Sequence, residues 1–135
     1  AAQIHGDESA EAFAETAFRL WRALKLESDA VTPDPDQWAA ERFVVDAAVP
    51  GVYGGTGVTA DWDAAATVAR ERPLFLAGGL TPDNVASAVR SVRPQGVDVS
   101  SGVELQPGRK DHARMERFVK QAREAAAKEY GNEND

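Results

Sequence analysis

A few short stretches of this 135-residue chain carry residue types that could do chemistry: His5, Asp46, Gly78-Gly79, Asp98 and Ser100-Ser101-Gly102. Gly78-Gly79 and Ser100-Ser101-Gly102 each follow a short apolar run and precede a helical stretch. Glycine at such a turn lets the backbone approach a ligand closely, and free amides there bind an anion. Either turn alone reads equally well as a plain strand–helix connection. The pair, in register on successive units, points to phosphate. Gly54-Gly55-Thr56-Gly57 lacks the Lys-Ser/Thr that completes a P-loop, and no G-x-G-x-x-G string is present, so nucleotide binding is not expected. Asp46 closes the apolar run Phe43-Val44-Val45. Partial desolvation at that position favours a protonated carboxyl, while the plainer reading is an aspartate capping a loop. A lone histidine such as His5 is more often structural than chemical. Tyr53 and Trp62 read as packing residues, and Arg109 and Lys110 as water-facing side chains able to support an anion.

Composition limits what these residues can be part of. The chain has no cysteine, which removes a disulfide scaffold, a thiolate metal site, a redox pair and a cysteine nucleophile from within it. With 15 basic against 22 acidic side chains, the net charge is −7. Neither nucleic acid nor an anionic membrane is expected as a partner. An anionic small substrate would have to be held by local donors. No apolar run approaches the roughly 18 to 20 residues of a membrane span, and no leader sequence is visible, so a cytoplasmic protein is expected. No His/Cys/Asp/Glu cluster has ligand spacing; neither a metal nor another cofactor is expected.

The elements that must position these residues alternate. Strand signals at Gln3-Ile4-His5, Leu20 to Leu26, Phe43-Val44-Val45, Leu74-Phe75-Leu76 and Gly96 to Val99 are each followed by a helix or helix candidate. Of these, Leu20 to Leu26 is ambiguous: alternation of Leu20, Leu24 and Leu26 with Arg22 and Lys25 only loosely favours a strand. Ser9 is expected to cap a helix over Ala10 to Ala17, and Pro33 to Glu41 to hold a short helix after a turn. Pro50 to Gly57 reads as a glycine-rich loop, and Asp61 to Ala69 as a helix. Thr81-Pro82 gives an N-cap with proline at the first helical position. Val85, Ala88, Val89 and Val92 form one apolar helix face, and Met115, Phe118, Val119 and Ala122 another. Gly131 to Asp135 reads as a frayed tail. Repeated strand–helix units imply an α/β protein with a parallel sheet and a single domain over residues 1–135. Length alone favours an open sheet, because (β/α)₈ barrels typically need about 250 residues.

The strings LAGGLTPDNVASAV and GVDVSSGVELQPGRKD resemble the C-terminal part of phosphoribosylanthranilate isomerases of tryptophan synthesis. VVDAAVPGVYGGTGVTADW and the opening QIHGDES extend the likeness over nearly the whole chain, in the family's order. The resemblance implies a TIM-type (β/α)₈ barrel at the short end of the size range, roughly 200 residues. It makes QIHGDE strand four, VVDA six, LAGGL seven and VDVSSG eight, so this chain would be a partial barrel of about five β/α units. It also implies the Amadori rearrangement of N-(5-phosphoribosyl)anthranilate, a small phosphorylated substrate, with no cofactor.

By resemblance Asp46 is the general acid and His5 lies near the anthranilate end. Gly78, Gly79, Ser100, Ser101 and Gly102 hold phosphate. Asp98 meets sugar hydroxyls, or equally is a buried acid satisfying loop amides. The family's general base is a cysteine in a Cys-Gly-Ile-Thr strand. With no cysteine here, that base is expected from a missing N-terminal segment. The alternatives are a non-catalytic phosphate-binding half-barrel and the C-terminal part of a bifunctional tryptophan-pathway enzyme.

Overall fold

The computed structural model describes residues 1–27, 30–47 and 61–131. Six strands form one sheet: β1 (Ala2–Ile4), β2 (Leu20–Glu27), β3 (Ala30–Thr32), β4 (Arg42–Asp46), β5 (Leu74–Ala77) and β6 (Gly96–Val97). All but β3 are parallel and neighbour one another in the order β1-β2-β4-β5-β6, while β3 folds back antiparallel on β2. A separate hairpin pairs β7 (Glu104–Gln106) with β8 (Arg109–Lys110). Parallel neighbours require crossovers. Helix α1 (Trp62–Glu71) lies between β4 and β5, α2 (Val85–Val92) joins β5 to β6, and α3 (His112–Tyr130) closes the described chain. The first two crossovers are built on 3₁₀ turns, Ala10–Phe13 and Pro35–Gln37.

The two-residue period divides the parallel strands into faces. One face (Ile4, Leu24, Phe43, Val45, Leu74, Leu76, Val97) packs under the helices against Ala65, Val68, Val85, Ala88, Val89, Val92 and Phe118. Full burial of side chains such as Leu74 and Leu76 contributes about 1.5–3 kcal/mol each. The opposite face carries Trp21, Arg42 and Phe75 near the strand starts. The Trp21 and Phe75 rings are 4.9 Å apart, and the Arg42 guanidinium lies 5.6 and 5.3 Å from their centres. Gly96 is required beside them, because a Cβ there would collide with the Phe75 ring.

Five parallel strands in chain order match the sequence pattern, and so does the α2 face Val85, Ala88, Val89 and Val92. Other expectations are corrected. The helix expected over Ala10 to Ala17 is a single 3₁₀ turn, and Ser9 makes no cap hydrogen bond to it. Backbone hydrogen bonding at Glu11, with a smaller contribution from Ser9, lowers the Glu11 pKa. Helix α2 starts at Val85, later than Thr81-Pro82 predicts. Thr81 still organises the turn: its Oγ1 accepts from Asp83 N–H and its carbonyl from Val85 N–H. Strand β6 ends at Val97, although Asp98 N–H continues the ladder to Leu76 O at 2.8 Å. On α3, Met115 and Val119 are 42 and 45 % exposed, and the inward residues are Phe118, Ala122 and Ala125. Trp62 is buried, as a packing residue should be. Tyr53 and the loop 50–57 lie outside the described residues, as do positions 132–135.

Candidate functional site

Strand register places the sequence-predicted side chains along one rim. Gln3 is level with Trp21, Trp21 with Arg42, and Asp46 with Ala77. Carrying the register one or two residues further sets His5 beside Ala23, Lys25 beside Asp46, and Asp98 beside Ala77. His5, Lys25, Asp46 and Asp98 therefore share one sheet face, at the carboxyl ends of β1, β2, β4 and β6 or just beyond. Ligands in parallel α/β folds bind at this end. His5, Asp46 and Asp98 are all exposed. Two expectations fail on that point. The end of β4 does not desolvate Asp46, and Asp98 is not a buried acid satisfying loop amides. The strand ends present both carboxylates to solvent where a ligand would lie.

The two glycine-containing turns meet next to this rim. Gly78 and Gly79 have φ of 89° and 63°, the left-handed region that glycine enters without strain. They turn the chain sharply off β5. A Cβ at Gly102 would run into the Leu80 carbonyl oxygen, so the second turn packs its backbone directly on the first. Ser101 and Gly102 open a 3₁₀ turn, Ser101–Val103, and the leading N–H groups of such a turn have no partner within it. The pair thus forms a close-set group of backbone donors suited to an anion.

Side chains brace both turns. Asn84 Oδ1 accepts from Thr81 N–H at 2.8 Å, and its Nδ2 donates to Gly79 O at 2.9 Å. Lys110 Nζ donates to Ser100 O at 2.9 Å and to Glu104 Oε1 at 2.7 Å. That second bond holds the Glu104 carboxyl below its ordinary pKa. Lys110 is exposed, as expected, and it also serves as a strut of the Ser100 turn. Arg109 is exposed, as expected. The brace at Asn84 was missed, although Thr-Pro-Asp-Asn has the composition of a side-chain-stabilised turn.

At the other end of the rim, a cavity of about 270 Å³ is lined by His5, Gly6, Arg22, Lys25 and Thr32 among others. Arg22 sits on the core side of β2 between Leu20 and Leu24, and is 3 % exposed. Its guanidinium lies 4.4 Å from the centre of the Trp38 ring, and Nη2 donates to Gly6 O at 2.8 Å. Nε and Nη1 are buried without a hydrogen-bond partner. Each buried unpaired donor costs about 1–3 kcal/mol, so Arg22 is an expensive residue for a position that leucine would fill. Sequence reading took Arg22 and Lys25 as polar positions of a strand alternation and not as site residues. Their signal is two cations set at different phases within the apolar run Leu20 to Leu26.

Among the described residues, no group of three or more His, Cys, Asp or Glu side chains could hold a metal ion, and no helix is long and apolar enough to cross a membrane. Comparison with known proteins gives consistent matches. The family model for N-(5'-phosphoribosyl)anthranilate isomerase matches residues 1–121. The N-(5'-phosphoribosyl)anthranilate isomerase of Roseiflexus sp. (strain RS-1) is 53 % identical over 130 residues, covering 92 % of this chain and 59 % of that protein. The chain thus spans about three fifths of the length of the curated relatives it matches. Among solved structures, phosphoribosyl anthranilate isomerase from Thermococcus kodakaraensis superposes with a TM-score of 0.73 at 34 % identity, over 90 % of this chain and 62 % of that one. A phosphoribosyl anthranilate isomerase in complex with reduced 1-(o-carboxyphenylamino)-1-deoxyribulose 5-phosphate gives 0.67 at 33 % identity, over 90 and 58 %. The parallel sheet and these neighbours fit a TIM-type α/β fold.

Proposed function

The chain belongs to the N-(5'-phosphoribosyl)anthranilate isomerase family, and from that membership we propose that it supplies the phosphate grip and the general acid of this isomerisation. The observation that carries the reading is the contact of the two glycine turns, with Gly102 against the Leu80 carbonyl, on the same rim as Asp46. The turns at Gly78-Gly79 and Ser100-Ser101-Gly102 bind the substrate phosphate through backbone amides. Asp98 meets the sugar hydroxyls, and His5 stands at the anthranilate end. Asp46 gives a proton to the furanose oxygen as its bond to C1 breaks. A base then takes the proton from C2, and the resulting enolamine becomes the aminodeoxyribulose phosphate.

This chain has no cysteine, so the base comes from outside these 135 residues. We read the five parallel strands as an arc of a (β/α)₈ barrel that three further β/α units complete. Those units also supply the cover that Asp46 lacks here. The missing base equally favours a second reading for the chain by itself: phosphate binding without turnover.

The test combines the chain with a family segment bearing the Cys-Gly-Ile-Thr strand and measures isomerisation. Turnover is expected only in the combination. Asp46→Asn should then lower it by about 10²- to 10⁴-fold, the usual contribution of a positioned acid, with phosphate affinity unchanged. Equal turnover by Asp46→Asn removes Asp46 as the acid. A combination that binds phosphate and never turns over leaves the binding-only reading.

A further inference from the structure

Arg22 belongs to neither the phosphate grip nor the proton chemistry, yet it is the buried cation of β2. Its same-face neighbours Leu20 and Leu24 are buried and apolar. Packing alone therefore gives no reason for a guanidinium between them. Its contacts supply one. The guanidinium lies over the Trp38 ring, 4.4 Å from its centre, and Nη2 reaches Gly6 O at 2.8 Å. Gly6 follows His5 directly. The peptide that carries His5 off β1 is thus held from below by one planar donor, whose Nε and Nη1 stay buried and unpartnered.

We infer that Arg22 is a positioning residue: by clamping the Gly6 carbonyl it sets where the His5 imidazole stands at the aryl end of the ligand. The inference rests on the reading of this rim as the isomerase site. Arginine suits the task because a rigid planar fork, stacked on an indole, transmits position. A lysine ammonium on a flexible stem does not.

The experiment uses the full chain, titrated separately with inorganic phosphate and with reduced 1-(o-carboxyphenylamino)-1-deoxyribulose 5-phosphate, and followed by NMR. In Arg22→Leu, phosphate affinity at the Gly78, Gly79 and Gly102 amides should stay within about twofold of the parent. Affinity for the analogue should fall about tenfold, the scale of one charge-assisted hydrogen bond, and the His5 ring signals should move. Arg22→Lys should recover little of the loss. In a His5→Ala background, Arg22→Leu should add nothing further, because two residues acting as one unit are not additive. A measurement without any variant reads the same point: the Arg22 Nε–H signal should shift with the analogue and stay still with phosphate.

Unchanged analogue affinity in folded Arg22→Leu, an equal loss with and without His5, or a static Nε–H signal overturns the inference and leaves the phosphate reading standing. A chain that binds neither ligand overturns the reading on which the inference rests, and the inference with it.

Discussion

Residues 74–110 and residues 1–38 hold their loops by different means. In the later region the braces are main-chain geometry and short local bonds. Gly78 and Gly79 turn the chain, Gly102 lets the turns touch, and Asn84 and Lys110 tie each turn to its own neighbourhood. In the earlier region the connections are 3₁₀ turns, and the Gly6 turn rests on a guanidinium and an indole distant in sequence. The earlier region has traded local order for one long-range contact. A loop braced locally survives damage elsewhere, whereas a loop hung on a buried side chain fails with that side chain.

This contrast is sharpest at Trp38, which is 7 % exposed, lies under Arg22 and touches Phe13 with ring centres 5.9 Å apart. Trp38→Ala should cost about 3–5 kcal/mol in chemical denaturation and disorder the Gly6 turn. The phosphate response at Gly78 and Gly79 should persist wherever the variant is folded. If it is lost along with the Gly6 turn, the two regions are one unit and the contrast fails.

Gly102→Ala is the complementary damage. The new methyl meets the Leu80 carbonyl, a backbone atom that cannot swing aside. Overpacking of this kind costs about 1–3 kcal/mol, and phosphate affinity should fall at least about tenfold as the turns separate. The His5 ring signals should stay where they are. Undiminished phosphate affinity in a titration would show that contact between the turns is not what makes the grip.

A smaller effect separates the braces from the grip itself. Lys110 lowers the Glu104 pKa, so the pair's contribution to the folded state is present above the ordinary carboxylate range and disappears as pH falls through the lowered value. The Gly102 amide shift should show an acid step in that lower window, and Glu104→Gln should abolish it while leaving phosphate affinity at neutral pH nearly unchanged. A step that persists in the variant belongs to another carboxylate.

Legibility from sequence followed the same divide. The α2 face, the β4 and β5 strands and the glycine turns could be read because their determinants are local: period, β-branching, and glycine where φ is positive. The ambiguous stretch Leu20 to Leu26 proved to be strand, with Arg22 inward and Lys25 outward. Its alternation was hidden because a buried cation looks like a surface residue until Trp38 and Gly6 arrive from elsewhere in the chain. Ser9 misled for a related reason, since an N-cap signal needs a helix to cap and only a single 3₁₀ turn follows it. On α3, Met115 and Val119 fit the apolar period, but the helix packs on α2 and the buried side chains are Phe118 and Ala125. Of the site, the positions of Asp46, His5 and Asp98 along one rim follow from strand ends. Their exposure does not, because it depends on what lies across the sheet face.

The turns proposed to grip phosphate and their braces all fall within the uninterrupted stretch from Leu74 to Lys110. In evolutionary terms the grip is heritable as a block: one duplication or recombination event can copy the anion site with its supports intact. The groups proposed to move protons are scattered, with Asp46 in another segment and the base proposed to lie outside this chain, so no single event carries them together. If the proposed grip holds, a lineage inheriting this stretch would keep it while its chemistry drifted, since function resides in sites grafted onto a fold and not in the fold itself.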